Sequence, residues 1–269
     1  MNFPSTVIHL CSSFKGYAQI RDQPVTASIK YLLKLITLLA LVLVASFVPW
    51  AITGTNEFVQ RFDANRPSFS LHDGRIVTSV PQPFVWGDNN LRFVLDTTGQ
   101  VTKPDPAALR GVLFMADSFL FWVKSTNATE VAPYSHSQQL SGFPDGLVDG
   151  GYLHRLIRAS LWASLPISWL VVVLVGTLSC LVQAYLFSVA ASFLERGMPS
   201  RMQMNQLLNI AIHAVTPAAI LVTVYKVMQL EGLDLWLVYL IAYGVFLIGA
   251  ANACRDRSPT PESPFDDSM

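Results

Sequence analysis

Charged residues are scarce in this chain, and the two signs balance. Only 13% of its 269 residues are Asp, Glu, Lys or Arg, and the formal net charge is zero. A protein that binds nucleic acid needs a basic surface to neutralise phosphates. The sequence therefore predicts no DNA or RNA partner.

Cysteine is also rare. The three cysteines are Cys11, Cys180 and Cys254, and none lies between residues 56 and 157. That region therefore cannot hold an internal disulfide or a thiolate metal site. His72 and His136 stand far apart in it and form no recognisable ligand pair, so no metal or cofactor is expected.

Apolar residues are abundant instead, at 52% of the chain. Crossing a bilayer takes about 20 mostly apolar residues. Four segments meet this requirement, at residues 35–55, within 152–194, at 207–226 and at 235–253. The prediction is an α-helical membrane protein with four transmembrane helices and a small β-rich (α+β) extracytoplasmic domain inserted between the first and second spans.

The uncharged run at residues 159–194 is longer than one span requires. As a single helix it would extend roughly 54 Å. We interpret residues 152–194 as an interfacial helix followed by one span near Trp169 to Phe187. Two crossings are the alternative, and they would place the C-terminus outside.

Residues 1–34 combine basic side chains with loosely helical apolar spacing. This pattern predicts a cytoplasmic amphipathic segment at the membrane surface, ended by Pro24. The apolar run at 35–55 is either a cleaved signal peptide or an anchor. An uncleaved anchor is favoured, because no clear cleavage site follows the run.

Residues 56–151 change character, because turn signals separate short runs rich in β-branched and aromatic residues. Asp73-Gly74 is a strong hairpin signal, and Asp105-Pro106 predicts the start of a brief helix through Leu109. Strands are predicted at 69–71, 75–80, 83–86, 91–96, 111–115 and 118–123.

The orientation follows from the loops. The short segment 195–206 carries Arg196 and Arg201 and is of the kind that stays in the cytoplasm. The tail at 254–269, rich in Pro, Ser and acids, is expected to be a disordered cytoplasmic tail. Four spans then place both termini inside and residues 56–151 outside. Arg155 and Arg158 oppose this assignment, but long loops translocate largely regardless of charge.

Two polar side chains, Gln183 and His213, fall within predicted spans. Such residues usually face the bundle interior, either as packing hydrogen bonds or on a solute or proton path. We predict a Gln183 to His213 contact with a structural role. Pro217 removes one helical hydrogen bond, so a helix kink is expected there.

The segment Asp96-Thr97-Thr98-Gly99 follows an apolar strand. It invites comparison with aspartic proteases, but those enzymes need Asp-Thr-Gly and a second carboxylate. A phosphorylated aspartate would need nucleotide and Mg²⁺. The favoured interpretation is a structural turn in which the Asp96 side chain accepts bonds from the following amides.

Several strings resemble the domain-of-unknown-function 1189 family of bacterial integral membrane proteins. They are the Gln23-Pro24 step, 30–33, 69–75, 93–99 and 214–217. The resemblance implies about four spans, one exported β-rich insertion, a place in the bacterial cytoplasmic (inner) membrane and no established activity. A maltodextrin-utilisation label on some relatives implies a link to sugar uptake.

The expected function is non-enzymatic, because no converging acid/base pair is visible. We expect the exported domain to bind or sense something in the envelope. The alternative is an accessory protein of a solute transport system, with maltodextrin as the candidate solute. The expected partners are the lipid bilayer and either another membrane protein or an envelope ligand.

Overall fold

A computed structural model describes residues 2–105, 107–124, 134–194, 202–230 and 232–255. Within these ranges, four helices are long and apolar enough to cross a membrane. Two small sheets lie in sequence between the first and second of them, which confirms this part of the predicted fold class. The helices are α1 (Phe3–Ser12), α2 (Tyr17–Ile20), α3 (Val25–Asp63), α4 (Gly150–Leu194), α5 (Met204–Val227) and α6 (Leu235–Arg255).

The chain divides into two compact units. The helical unit comprises residues 1–48 and 164–269, and the sheet unit comprises residues 49–163. Residues 195–201 of the loop predicted at 195–206, and the tail from residue 256 onward, lie outside the described residues. Each unit has its own apolar core.

The N-terminal segment, which was predicted to be an amphipathic segment at the membrane surface, consists of short helical pieces. It forms α1, a 3-10 turn at Phe14–Gly16 and α2, with an extended residue at Ser13. Leu10, Tyr17 and Ile20 are buried in the same core as residues of α5 and α6. These three apolar side chains are therefore covered by protein, whereas Ile8 and Phe14 of the same segment are exposed.

Helix α3 begins at Val25, directly after Pro24, and ends at Asp63. It therefore continues beyond the predicted end at residue 55. The added turns carry Phe58 and Phe62, which pack into the core of the sheet unit. Tertiary burial extends the helix where the local sequence is polar.

Helix α4 is continuous over 45 residues. The predicted interfacial helix and second span are thus one helix, about 67 Å long at the standard rise. Residues 159–194 lie within this one helix, with no turn between them.

The sheet unit contains a three-stranded sheet, ordered β2-β1-β8, and a five-stranded sheet, ordered β3-β4-β5-β6-β7. All neighbouring strands are antiparallel except β4 and β5, which are parallel. The strands are β1 (Phe69–His72), β2 (Arg75–Thr78), β3 (Phe84–Gly87), β4 (Arg92–Leu95), β5 (Arg110–Phe114), β6 (Ser118–Val123), β7 (Tyr134–Gln139) and β8 (Gly146–Leu147).

The hairpin predicted at Asp73-Gly74 is confirmed. His72 pairs with Arg75 across it, and both turn residues have positive φ, 48° at Asp73 and 71° at Gly74. These values match the two-residue turn that suits the twist of paired strands.

The brief helix predicted from Asp105 is not formed. Pro106 lies outside the described residues, and 107–109 are not helical. The Leu109 amide instead donates to the Asn89 carbonyl at 2.9 Å. The Leu109 carbonyl accepts from the Lys124 amide at 2.6 Å. Asp105 Oδ1 accepts from the Ala107 amide at 2.9 Å, the bond of a local Asx turn.

Candidate functional site

The core of the sheet unit is organised around Phe62, near the end of α3. Its ring centroid lies 5.4 to 6.3 Å from those of Phe69, Trp86, Phe93 and Phe114. The indole Nε1 of Trp86 donates to the Phe62 carbonyl at 3.0 Å. These contacts join the end of α3 to both sheets, and aromatic pairs of this kind each add about 0.5–1.5 kcal/mol beyond area burial.

Two carboxylates hold the start of α4. Asp63 Oδ1 accepts from the Gly150 amide at 2.8 Å, and Asp149 Oδ1 accepts from the Tyr152 amide at 2.6 Å. Both acids satisfy amides that have no intrahelical partner, and their charge complements the helix dipole. The start of α4 is thereby fixed against the end of α3.

An apolar cavity of about 420 Å³ opens in the sheet unit. Strands of both sheets and turns of α3 and α4 form its wall. The wall is rich in phenylalanine: Phe58, Phe69, Phe114, Phe119, Phe121 and Phe143.

The polar groups of this cavity are few and peripheral. Gln138 and Ser160 are exposed, so they mark the side open to solvent. The Tyr152 hydroxyl donates to the Pro144 carbonyl at 2.7 Å, which leaves its ring facing the cavity. No Asp, Glu, Lys, Arg or His is among the described lining residues. The cavity is therefore suited to binding an apolar group, with a polar end at the rim.

The Asp96-Thr97-Thr98-Gly99 segment lies outside this cavity and forms a closed turn. The fully buried Asp96 accepts through Oδ1 from the Thr98 amide at 2.9 Å and its hydroxyl at 2.6 Å, and through Oδ2 from the Val101 amide at 2.5 Å. Thr97 donates to Gln82 Oε1 through its amide and hydroxyl. Gly99 has φ +80°, a conformation that favours glycine.

The protonation of Asp96 follows from these bonds. Burial raises the pKa of Asp96, but hydrogen bonds from Thr98, Val101 and Gln100 outweigh it and hold the pKa below its ordinary value. The carboxylate is thus committed to a local turn, with its oxygens turned toward backbone amides.

The helical unit contains a buried polar network, which we call the His213 network. It joins Gln23 and Ser28 near the start of α3 to Asn209 and His213 on α5. Ser28 Oγ donates to Asn209 Oδ1 at 2.7 Å, and Gln23 Nε2 donates to Ser28 Oγ at 2.8 Å. Asn209 Nδ2 donates to the carbonyls of Arg21 and Gln23 at 3.0 and 2.6 Å.

The network assigns the proton on His213. Its Nδ1 lies 2.8 Å from the Asn209 carbonyl, which can only accept, so Nδ1 carries the hydrogen. Its Nε2 lies 3.3 Å from the Gln23 amide nitrogen, which donates. A neutral ring with hydrogen on Nδ1 satisfies both contacts. Protonation of Nε2 would set two donors against each other.

The structure does not bring Gln183 and His213 together. Gln183 Oε1 accepts from the Tyr239 hydroxyl at 2.7 Å, so it joins α4 to α6. His213 faces the N-terminal segment, and the Tyr31 ring stacks on it at 4.5 Å. The predicted direct contact is therefore replaced by two separate polar contacts on different helices.

Helix α5 runs through Pro217 without ending, and the kink predicted there stays a prediction. The neighbouring Thr216 hydroxyl is 3.0 Å from the Tyr31 hydroxyl, so it joins α5 to α3.

Sequence reasoning missed Gln23, Ser28 and Asn209 as members of the His213 network. One signal was present, because Asn209 precedes His213 by one helical turn and shares its face. The cavity of the sheet unit left no such signal, since its lining residues are of the types that fill ordinary cores.

Comparison with known proteins gives one informative match. No curated protein and no solved structure is significantly similar to the chain. Residues 8–250 match the family described as "Protein of unknown function (DUF1189)". Since the match spans most of the sequence, the chain belongs to the DUF1189 family.

Proposed function

We propose that this protein is a non-enzymatic, multi-pass protein of the bacterial inner membrane whose sheet unit binds an acyl chain of an envelope lipid. In this proposal both termini are cytoplasmic and residues 56–151 are exported. The observation that carries it is the apolar cavity of about 420 Å³ in the sheet unit.

The size and chemistry of the cavity support this class of ligand. Small-molecule sites usually enclose about 300–1,000 Å³ and are lined mainly by apolar side chains. Each methylene moved from water into such a wall contributes about 0.8 kcal/mol. A flexible hydrocarbon chain gains from every buried carbon and asks for no polar partner inside.

The rim supports a ligand with one polar end. Exposed Gln138 and Ser160 border the cavity, and each can hydrogen-bond an ester or carboxyl oxygen. None of the described lining residues is Asp, Glu, Lys, Arg or His, so the lining offers the Ser160 hydroxyl no charged group or imidazole that could activate it. Binding without turnover is therefore the role that the wall favours.

The helices that wall the cavity support a sensing role. Phe58 belongs to α3, and Leu153, Leu156 and Ile157 belong to α4. The same two helices continue as the first two apolar segments of the chain. A ligand that changes the packing of these side chains acts directly on both helices.

The test uses the full-length chain and a photoreactive palmitic acid carrying a diazirine. Irradiation of membranes followed by peptide mapping should place adducts on the segments that line the cavity, which are residues 69–76, 112–121 and 138–160, or on Phe58. Leu156→Trp fills the cavity and should remove most of the adduct. The matched control, Leu147→Trp, alters an exposed leucine of β8 that does not line the cavity, and it should label like the unaltered protein.

Two results would contradict the acyl-binding proposal. One is an adduct pattern confined to the apolar segments of α5 and α6. The other is equal labelling of the Leu156→Trp and Leu147→Trp proteins.

The accessory role in solute transport stays a separate prediction. It requires co-purification with a permease and a growth defect that depends on one solute. If a permease is retained by the Leu156→Trp protein as well as by the unaltered chain, the accessory role stands without the acyl cavity.

A further inference from the structure

The helical unit holds a second cavity, of about 530 Å³, bordered by the N-terminal segment and the first turns of α3. Its wall mixes apolar side chains with amide groups and two lysines. The lining side chains include Gln19, Gln23, Lys30, Tyr31, Lys34 and His213. We call it the lysine cleft.

The lysine cleft carries positive charge without a matching acid. Lys30 and Lys34 stand four residues apart on α3 and so lie on one helix face. Both are exposed, and no Asp or Glu is among the described residues of the wall. Across the described ranges of the chain, neither lysine forms an ion pair.

The nearest acid in sequence is already engaged. Asp22 forms an ion pair with Arg21 at 3.1 Å and accepts from Gln206 Nε2 at 2.6 Å. These hydrogen bonds hold the pKa of Asp22 below its ordinary value. Those from the Arg21 side chain have the largest effect, and the one from Gln206 comes next. Asp22 therefore stays ionised in its pair with Arg21. It is not the counter-ion of Lys30 or Lys34.

The floor of the lysine cleft is neutral and fixed. Gln23 and His213 point their polar atoms into the His213 network, and Tyr31 stacks on the His213 ring. These groups shape the cleft without adding charge. The anion-binding capacity thus comes from Lys30 and Lys34, with the exposed Gln19 amide as a further donor.

The position of the lysines along α3 identifies the kind of anion. Lys34 directly precedes the uncharged run that starts at Leu35. Lysines at the end of an apolar helix lie at the level of lipid headgroups and attract anionic lipids. We propose that the lysine cleft binds an anionic phosphate-bearing group, and its position favours the headgroup of an anionic phospholipid over soluble phosphate.

This site is independent of the acyl cavity in the sheet unit, because the two cavities share no lining residue. Failure of one proposal therefore leaves the other unaffected.

The experiment titrates the full-length protein in neutral detergent with three probes: short-chain phosphatidylglycerol, short-chain phosphatidylcholine and inorganic phosphate. Isothermal titration gives the affinity, and thermal unfolding without probe shows that each variant is folded. The test variant is Lys30→Gln with Lys34→Gln. The matched control is Lys15→Gln with Lys226→Gln, which removes the same charge from two exposed lysines outside the cleft.

The expected result is that phosphatidylglycerol binds more tightly than phosphatidylcholine and that the test variant binds it about 30-fold more weakly. That factor corresponds to about 1 kcal/mol for each lysine. The control should stay within twofold of the unaltered protein. A Lys30→Arg, Lys34→Arg variant should retain binding, and it serves as the second measurement if the glutamine pair unfolds.

The other outcomes are also decisive. Binding of inorganic phosphate with the same lysine dependence, and none of phosphatidylglycerol, assigns the cleft to a soluble phosphate compound. Equal affinity of the test and control variants, or equal affinity for the two lipids, overturns the proposal. So does loss of binding in the arginine variant while it remains folded.

Discussion

Asp63 and Gly150, which are 87 residues apart in the chain, join the end of α3 to the start of α4. The Asp63 carboxylate accepts from the Gly150 amide at 2.8 Å. A side chain on Gly150 would overlap that carboxylate and come within 2.9 Å of Val59 Cγ1. The close approach of the two helices therefore depends on a glycine at this position.

Gly150→Ala should destabilise the protein by about 1–3 kcal/mol, the usual cost of overpacking. The gain in helix propensity, about 1 kcal/mol at most, is too small to offset the displacement of Asp63. Thermal unfolding of the full chain in detergent measures the effect. Gly142→Ala is the control, since a side chain there meets open space, and it should be nearly neutral. Equal midpoints for the two variants would show that the α3 to α4 contact is loose.

The Asp96 turn gives a prediction with a defined pH dependence. Asp96→Asn replaces a buried acceptor of several bonds and should cost about 1–3 kcal/mol at neutral pH. The exposed Asp117→Asn should cost much less. Unfolding midpoints of the full chain compare the two.

The sign of the pH effect follows from the lowered pKa of Asp96. The unfolded chain, with an Asp pKa of about 3.9, binds protons before the folded one does. The stability that Asp96 contributes is thus fully present above that value and is lost as pH falls toward the folded pKa. The advantage of the unaltered protein over Asp96→Asn should shrink below about pH 4. A constant advantage down to acid pH would contradict the charged turn.

The His213 network predicts energetic coupling between its members. Gln23→Leu or His213→Leu alone leaves the partner buried without its bond, whereas the double substitution removes both. The double variant should therefore lose about 0.5–3 kcal/mol less than the sum of the single losses.

The control is a second cycle, with Gln183→Leu and His213→Leu. Because the structure gives these two residues different partners, their effects should add within about 0.5 kcal/mol. If the Gln183 and His213 substitutions were coupled while the Gln23 and His213 substitutions were additive, the assignment of Gln23 as the partner of His213 would be wrong.

Much of the fold could be predicted from the sequence wherever one local pattern was strong. Long uncharged runs indicate membrane-spanning helices because few other structures tolerate them, and the Asp73-Gly74 turn specifies its hairpin through backbone geometry. Strand β7 was missed because its sequence, Tyr-Ser-His-Ser-Gln-Gln, has no apolar alternation. It is a strand because it pairs with β6 from Ser118 to Val123.

The sites were less accessible, because they depend on which helix faces meet. Gln183 and His213 were correctly placed on apolar helices, but sequence spacing carries no information on their partners. The partners of His213 include Gln23, which is 190 residues away. The cavity in the sheet unit is formed where ordinary core residues do not fill the space between them. The types of these residues alone do not predict such a cavity.

Export of the sheet unit is tested most directly by cysteine labelling of spheroplasts with a membrane-impermeant maleimide. Cys180 and Cys254 are buried, and Cys11 is exposed on the N-terminal segment, which the proposed topology places in the cytoplasm. If the sheet unit is exported, Gly142→Cys, at an open and exposed position, is labelled in intact spheroplasts, whereas the unaltered protein is labelled only after lysis. Labelling of Cys11 in intact spheroplasts, with no additional label from Gly142→Cys, would contradict it.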